Sequence, residues 1–314
     1  MANYLITGGA GFIGSNIAKE LVSQGNSVVI FDNFSSGKKD NLSGILNKID
    51  LIKGDIRNIS QLRRSFKDID YVLHHAALAS VQMSINDPIT TNEVNVNGTI
   101  NVLKAAKELK VKKVIFASSC AAYGDSRILP LKETENVAPL SPYAISKLSA
   151  EFYCKIFTKL FGLNTVILRY FNVFGPNQDP NSEYSAVLPK FITAVLKGKD
   201  PIIYGDGKQT RDFVYIDNVV SANILASKCN NKEAQGNIFN IASGKMMSLL
   251  DIVRSISTVT NKRITPIFMP KKSGDIRMSV ADISKARRIL GYKPKVSFEA
   301  GLKISVDWYK NNIS

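Results

Sequence analysis

The sequence predicts an α/β protein: a doubly wound parallel sheet with helices on both faces, joined to a smaller C-terminal α/β lobe. Three observations carry this expectation. Strand-like apolar runs alternate with helical spacing through the first half. A glycine-rich turn joins the first run to the first helical stretch. After Arg169 the texture changes, with Pro176, Pro180, Pro189 and Pro201 punctuating the chain.

Each element has its own local cause. Tyr4-Leu5-Ile6 is a short apolar run before glycines. Phe12 to Val22 carries Ile13, Ile17 and Leu21 at helical spacing and stops at Gly25-Asn26. Ser27 to Phe31 reads as the next strand, ending at Asp32. Leu51-Ile52, Tyr71 to Leu73 and Lys113 to Phe116 read as further strands, with a helical stretch from Val96 to Leu109. A helix from Tyr143 to Phe161 follows, then a strand from Thr165 to Leu168. Beyond it, helical spacing recurs at Leu188 to Leu196, Val219 to Ser227, Leu249 to Thr258 and Ile283 to Leu290, and Gly205-Asp206-Gly207 marks a loop.

Composition narrows the function classes. A chain of 314 residues can bury a large core. Its 3 cysteines, Cys120, Cys154 and Cys229, have no paired spacing, which argues against a disulfide framework or zinc site and for a reducing compartment. No signal-peptide pattern precedes the first strand and no apolar run reaches membrane-spanning length, so a cytoplasmic enzyme without a membrane partner is expected. The net charge of +15 raises nucleic acid as a partner. The basic pairs are scattered, however, and no nucleic-acid module appears. The expectation is therefore a lysine-rich surface and no nucleic acid.

Thr7-Gly8-Gly9-Ala10-Gly11-Phe12-Ile13-Gly14 lies between a strand and a helix. Glycines there permit a tight turn and let backbone N–H groups approach a pyrophosphate at a helix N-terminus. Asp32 ends the next strand, where a carboxylate accepts from both ribose hydroxyls and repels a 2′-phosphate. This favours NAD over NADP. The expected cofactor set is Gly8, Gly11, Phe12, Ile13, Gly14, Asp32, Asn33, Asp55 and Ile56. The last two follow the third strand, where an adenine edge could meet a carboxylate and an amide.

Ser141-Pro142-Tyr143 suits a helix start, with Ser141 as N-cap and Pro142 in the first turn. Tyr143 and Lys147 then share one helical face. A tyrosine acting as a base near neutrality must lose roughly 3 units from its reference pKa, about 4 kcal/mol. A nearby ammonium, the helix N-terminus and a nicotinamide cation all act in that direction. Ser119, after the strand at Lys113 to Phe116, can bridge a sugar hydroxyl and Tyr143. The candidate catalytic residues are Ser119, Tyr143 and Lys147.

With Arg169-Tyr170-Phe171-Asn172 and Arg211-Asp212-Phe213-Val214, these motifs resemble extended short-chain dehydrogenases, and more narrowly the UDP-glucose/UDP-N-acetylglucosamine 4-epimerases, from Asn3 to about Trp308. The resemblance implies a Rossmann domain over 1–171, a UDP-sugar lobe over 172–314, and a segment near 213–226 that returns to the first domain. It implies that Asn95 supports the cofactor pyrophosphate and that Tyr170, Tyr143 and Lys147 adjoin the cofactor. It implies that Ser119, Tyr143, Asn172, Val187, Leu188, Tyr204, Arg211, Asp275 and Ser279 meet a UDP-sugar. Arg211 would pair with the pyrophosphate and Tyr204 would pack on the uracil. Family members pair two helices across a dimer. The apolar stripes Val96, Ile100, Leu103 and Leu148, Phe152, Ile156, Leu160 would do this in a homodimer.

Ala79 departs from a lysine found in some epimerases, and Lys272 from an arginine. Ser118-Ser119-Cys120-Ala121-Ala122-Tyr123 lacks the acidic pair of the related 4,6-dehydratases, so oxidation and re-reduction at C4 is expected without loss of water. Small Ser279 and Ala186 are expected to admit an N-acetyl group at C2. The expected enzyme interconverts UDP-GlcNAc and UDP-GalNAc, and also UDP-Glc and UDP-Gal, through a transient 4-keto sugar with NAD kept bound. The competing readings are a UDP-hexuronic acid 4-epimerase and a non-catalytic NAD-binding scaffold.

Overall fold

The computed structural model describes residues 1–180, 187–271 and 276–312. Its centre is a seven-stranded parallel sheet. The strands are β1 (Asn3–Thr7), β2 (Ser27–Asp32), β3 (Asp50–Lys53), β4 (Tyr71–His74), β5 (Lys113–Ser119), β6 (Thr165–Tyr170) and β11 (Asn237–Ile241). They lie in the order β11-β6-β5-β4-β1-β2-β3. The order reverses beside β1, the place where an open parallel sheet leaves a crevice at its carboxyl edge.

Alternate residues of each strand enter two cores. Leu5, Phe31, Val72, Val114, Phe116 and Ile167 face helices α2 (Ile59–Ser65), α5 (Gly98–Glu108) and α6 (Pro142–Phe161). Tyr4, Ile6, Ile30, Leu73, Ile115 and Leu168 face α1 (Phe12–Ser23) and α8 (Ile216–Lys228). Burial on both faces explains why β5 and β6 read as continuous apolar runs. Each fully buried aliphatic or phenyl group there contributes about 1.5–3 kcal/mol relative to exposure.

Short helices α3 (Val81–Asn86) and α4 (Pro88–Asn92) pack on α6, and a π-helical turn, Glu93–Asn97, leads into α5. The C-terminal lobe packs α7 (Val187–Leu196), α9 (Leu249–Thr260) and α11 (Phe298–Asn312) together. Three two-stranded ladders join its loops: β7 (Asn172–Phe174) with β10 (Phe213–Tyr215), β8 (Ile202–Tyr204) with β13 (Ile267–Met269), and β9 (Thr210–Arg211) with β12 (Met247–Ser248). Helix α10 (Ser284–Leu290) covers β11. Among the described residues no helix is long and apolar enough to cross a membrane.

The two apolar stripes fare differently. Val96, in the π-helical turn, and Leu103, on α5, are core residues, while Ile100 between them is half-buried. On α6, Phe152, Ile156 and Leu160 are exposed.

Candidate active site

β1 ends at Thr7 and the chain turns at Gly8, whose φ is +69°. A Cβ on Gly8 would stand 2.6 Å from the Ala76 nitrogen, and one on Gly14 would stand 2.4 Å from the Gly8 carbonyl. Only glycine lets these segments approach so closely. Helix α1 then begins at Phe12 behind Gly11, with no side chain capping its first N–H groups. Those donors open onto a groove of about 1240 Å³. Gly8, Gly11, Phe12, Ile13, Gly14, Asp32, Asn33, Asp55, Ile56, Tyr143, Lys147 and Tyr170 all line it.

Asp32 accepts from the Ala10 N–H at 2.9 Å and from the Phe34 N–H at 2.8 Å. It thus fixes the glycine loop to the end of β2 while forming part of the groove wall. Asp55 is gripped by Arg57, whose Nε and Nη2 donate at 3.0 and 2.7 Å, and Asn33 donates to it at 3.3 Å. The Arg57 fork holds the Asp55 carboxyl down at about 2. Sequence reasoning missed Arg57, because its partner and its place on the groove are tertiary facts.

Asn95 stands one layer behind the wall and does not line the groove. It is 2 % exposed. Its oxygen accepts from Leu78 N–H at 2.8 Å, and its amide donates to Leu78 O at 3.1 Å and Ser146 Oγ at 3.0 Å. It holds the loop after β4 to helix α6. In that loop Ala79, which carries no charge, lines the groove, whereas Lys19, Lys38 and Arg57 bring cations to it.

The C-terminal side of the groove is also built from remote parts. The loop 176–180 is tied to α1 through Asn16 Nδ2 to Pro176 O at 3.2 Å and Asn177 Nδ2 to Ser15 Oγ at 3.3 Å. Tyr309 on α11 donates to Gln178 O at 2.6 Å, and Lys38 pairs with Asp179 at 2.6 Å. Trp308 and Asn312 complete this wall. No local sequence signal marks these residues.

The candidate catalytic side chains converge at the ends of β5 and β6. Ser141 caps α6, accepting from Ala144 N–H at 3.2 Å, and Pro142 takes the first turn. Lys147 is buried one turn after Tyr143. Its Nζ donates to Ala117 O at 2.9 Å and sits 5.1 Å from the Phe116 ring centroid. Burial lowers its pKa to about 8. Burial pushes Tyr143 up to about 12, and a hydrogen bond with Ser119 works against that rise. Ser119 itself accepts from Ala121 N–H at 3.2 Å, opening the short turn Cys120–Tyr123.

Behind these groups lies a buried ionic network. Arg169 donates from Nε and Nη2 to Glu151 at 2.7 and 2.6 Å, and Ser118 donates to the same carboxylate at 2.5 Å. The Arg169 guanidinium lies 4.5 Å from the Tyr123 ring centroid, and Tyr123 donates to Asn240 at 2.7 Å. Burial opposes the charge on Arg169, but the Glu151 carboxylate more than offsets it and the guanidinium pKa is raised. Glu151 therefore anchors α6 against β5 and β6.

The expected substrate residues lie on the C-terminal lobe. Asp212 is fully buried and accepts from Ser243 N–H (2.8 Å), Ser243 Oγ (2.7 Å), Gly244 N–H (2.9 Å) and Ala281 N–H (3.2 Å). Its carbonyl accepts from Asn172 N–H at 3.0 Å. One residue thus ties together the segments carrying Asn172, Arg211 and Ser279. Asn172 Oδ1 is buried without a protein partner. Arg211 lies close enough to Cys120 to oppose the burial that pushes that thiol up to about 11, so it stands near the turn after Ser119. Tyr204 is 36 % exposed and Ser279 is 6 % exposed. Leu188 is a core residue and Val187 is half-buried at the start of α7. Asp275, Lys272 and Ala186 lie outside the described residues.

His74 and His75 do not form a metal centre, and among the described residues no metal-binding cluster occurs. His74 is enclosed between Thr7 Oγ1 at 2.7 Å and Thr99 Oγ1 at 2.9 Å. Thr99 spends its proton on Asn95 O at 2.6 Å, so His74 Nε2 donates to it and Nδ1 accepts from Thr7.

The profile of the NAD dependent epimerase/dehydratase family matches residues 4–242. The chain is similar to a UDP-N-acetylglucosamine 4-epimerase from Methanobrevibacter ruminantium M1, solved with UDP-N-acetylmuramic acid. That likeness has 43 % identity, a TM-score of 0.95 and coverage of 99 % of both chains. A UDP-glucose 4-epimerase from Thermotoga maritima, solved with UDP-glucose, is 37 % identical with a TM-score of 0.94, over 99 % of this chain and 100 % of that one. A UDP-glucuronic acid 4-epimerase from Bacillus cereus, solved with UDP-glucuronic acid and NAD, is 34 % identical with a TM-score of 0.90, over 98 % of this chain and 99 % of that one.

Proposed function

The chain belongs to the NAD dependent epimerase/dehydratase family, and from that premise we propose that it interconverts UDP-GlcNAc and UDP-GalNAc, and also UDP-Glc and UDP-Gal. At the coarser level it is an NAD-dependent UDP-sugar 4-epimerase. NAD is its cofactor, and the groove fits that group. Gly8 and Gly14 let the turn and α1 pack closely on the backbone around them. The uncapped N–H groups of α1 open onto the groove where a pyrophosphate would lie, and the Asp32 carboxylate suits ribose hydroxyls without a 2′-phosphate.

NAD supplies the hydride acceptor and donor for C4. In our reading the protein's own residues do the rest. Tyr143 takes the O4 proton, with Ser119 as bridge. To act near pH 8 the phenol must come down about 4 units from its buried value of about 12, roughly 5 kcal/mol. Lys147, one turn away, and the N-terminus of α6 both favour the phenolate. Arg211 and Asn172 hold the UDP-sugar by its phosphates, about which a 4-keto sugar can swing to show its other face. The turn Cys120–Tyr123 carries no carboxylate, and Glu151 is occupied by Arg169 and Ser118, which favours epimerisation over dehydration.

Ser279 carries the choice of sugar. It is a small, buried side chain two residues before Ala281, whose N–H is fixed by Asp212. A tyrosine there would compete with an acetamido group for space, a strain of about 1–3 kcal/mol. Ser279→Tyr is expected to suppress turnover of the N-acetylated pair and spare the plain hexoses. Equal loss on both pairs would show that position 279 does not gate C2. Likeness to the B. cereus enzyme supports a UDP-hexuronate 4-epimerase as second reading, so UDP-glucuronate belongs in the same assay. The exposed apolar residues Ile145, Phe152, Ile156 and Leu160 on α6, with Ile89 on the adjoining α4, support a homodimer formed through this face.

A further inference from the structure

His75 takes no part in the chemistry outlined above, yet it lines the groove and is tied to another wall residue. Its Nε2 lies 3.1 Å from the Tyr170 hydroxyl, and the two rings stack with centroids 6.1 Å apart and planes 18° apart. From the other side, Asn223 on α8 approaches the same hydroxyl, with Nδ2 at 2.8 Å and Oδ1 at 3.0 Å. Asn223 Nδ2 also donates to Val219 O at 2.8 Å, which fixes which end of the amide is nitrogen. Asn223 is fully buried, and Tyr170 is 6 % exposed.

These atoms make a consistent chain. Asn223 Nδ2 has two hydrogens, one for Val219 O and one for the phenol oxygen. The phenol has one hydrogen, and a neutral imidazole has one accepting nitrogen. Asn223 Nδ2 donates to the phenol oxygen, and the phenol's single hydrogen has Asn223 Oδ1 at 3.0 Å and His75 Nε2 at 3.1 Å as acceptors. An imidazole protonated on Nε2 donates to the same oxygen instead, so His75 bonds this hydroxyl in either tautomer. Burial pushes His75 down to about 4, with the Lys147 ammonium acting the same way, so an accepting nitrogen is available near neutrality. An aromatic wall alone would need only a phenylalanine. A hydroxyl held from the loop after β4 and from α8 fixes the ring relative to both sides of the sheet.

We propose that His75 is a positioning residue: by binding the Tyr170 hydroxyl it holds that ring as a rigid wall of the groove and so sets how long NAD stays bound. The proposal rests on the groove being the NAD site. A cofactor used for oxidation and then reduction in one turnover has to remain in place while the sugar turns, so a loosened wall is felt first as cofactor loss.

The test measures NAD directly. Wild type, His75→Leu, His75→Gln, Tyr170→Phe and the His75→Leu/Tyr170→Phe double variant are purified with their NAD. Each is rapidly desalted, and the NAD released into solution is assayed over time. His75→Leu is expected to speed release about fivefold to tenfold, the factor for one net hydrogen bond, and Tyr170→Phe, which also loses the Asn223 contact, at least as much. His75→Gln, whose carboxamide can accept from the phenol, is expected within about twofold of wild type, the scale of a hydrogen bond retained. The double variant should release no faster than Tyr170→Phe alone, because losing the hydroxyl already removes the link that His75 makes. Wild-type release from His75→Leu, no rescue by glutamine, or effects that multiply in the double variant would each overturn the proposal. A wild-type protein that neither carries nor binds NAD would instead overturn the reading of the groove, and the proposal with it.

Discussion

Replacing Arg169 with methionine removes the guanidinium and leaves the Glu151 carboxylate buried with Ser118 as its remaining side-chain hydrogen-bond donor. The two side chains are 2 % and 1 % exposed, so solvent cannot take over the missing partner. Breaking such a pair from one side costs about 3–5 kcal/mol. Unfolding entropy scales with length, and a chain of 314 residues gives about 0.7 kcal/mol per kelvin near its midpoint. The expected fall in Tm is therefore about 4–8 °C. Replacing both partners, as in Arg169→Met with Glu151→Leu, leaves no unpaired charge and should recover most of that loss. Scanning calorimetry on the NAD-loaded protein reads both variants at one scan rate. A fall below about 2 °C in the single variant, or a double variant less stable than the single one, refutes the assignment of an interior ion pair.

Tyr143→Phe is expected to lower kcat at least about 100-fold while NAD content stays at the wild-type level, and near-normal turnover would remove Tyr143 from the mechanism. Burial sets Lys147 at about 8, so its ammonium is present below that pH and is lost as pH rises through it. Support for the phenolate should fade with it. Initial rates should fall on the alkaline side near pH 8, and Lys147→Arg, which keeps its charge, should move that limb upward. An unmoved limb in the arginine variant would exclude Lys147 as its source. Placing glutamates at Phe152 and Ile156 should convert a dimer to a monomer by light scattering at micromolar concentration, and a wild-type monomer there would count against the interface on α6.

Much of the molecule was legible because its signals are local. The glycine turn, the acid ending β2 and the Ser-Pro-Tyr helix start depend on neighbours a few residues away, and they place Gly8, Asp32, Tyr143 and Lys147 on one groove. The illegible parts are long-range. β11 is a five-residue strand whose partner β6 lies far back in the chain, and no spacing within Asn237–Ile241 reveals that pairing. Arg57, Asp179 and Trp308 reach the groove from three separate elements. Asn95 holds the groove-lining loop at Leu78 to Ser146 on α6, a contact between residues far apart in the chain. The Val96, Ile100, Leu103 stripe shows the same limit, because periodicity marks an apolar face without saying what covers it.

The late entry of β11 has a consequence for biosynthesis. β6 is buried along its whole length, with β5 on one flank and β11 on the other. Translation delivers β5 first, but about 66 residues separate Tyr170 from Asn237. At ribosomal rates of about 5–20 residues per second, β6 waits roughly 3–13 s with one edge unpaired. During that interval the nascent chain exposes a strand whose natural tendency is to recruit any other extended segment nearby. A variant that slows elongation between 171 and 236 would lengthen this exposure without altering a single contact of the finished protein.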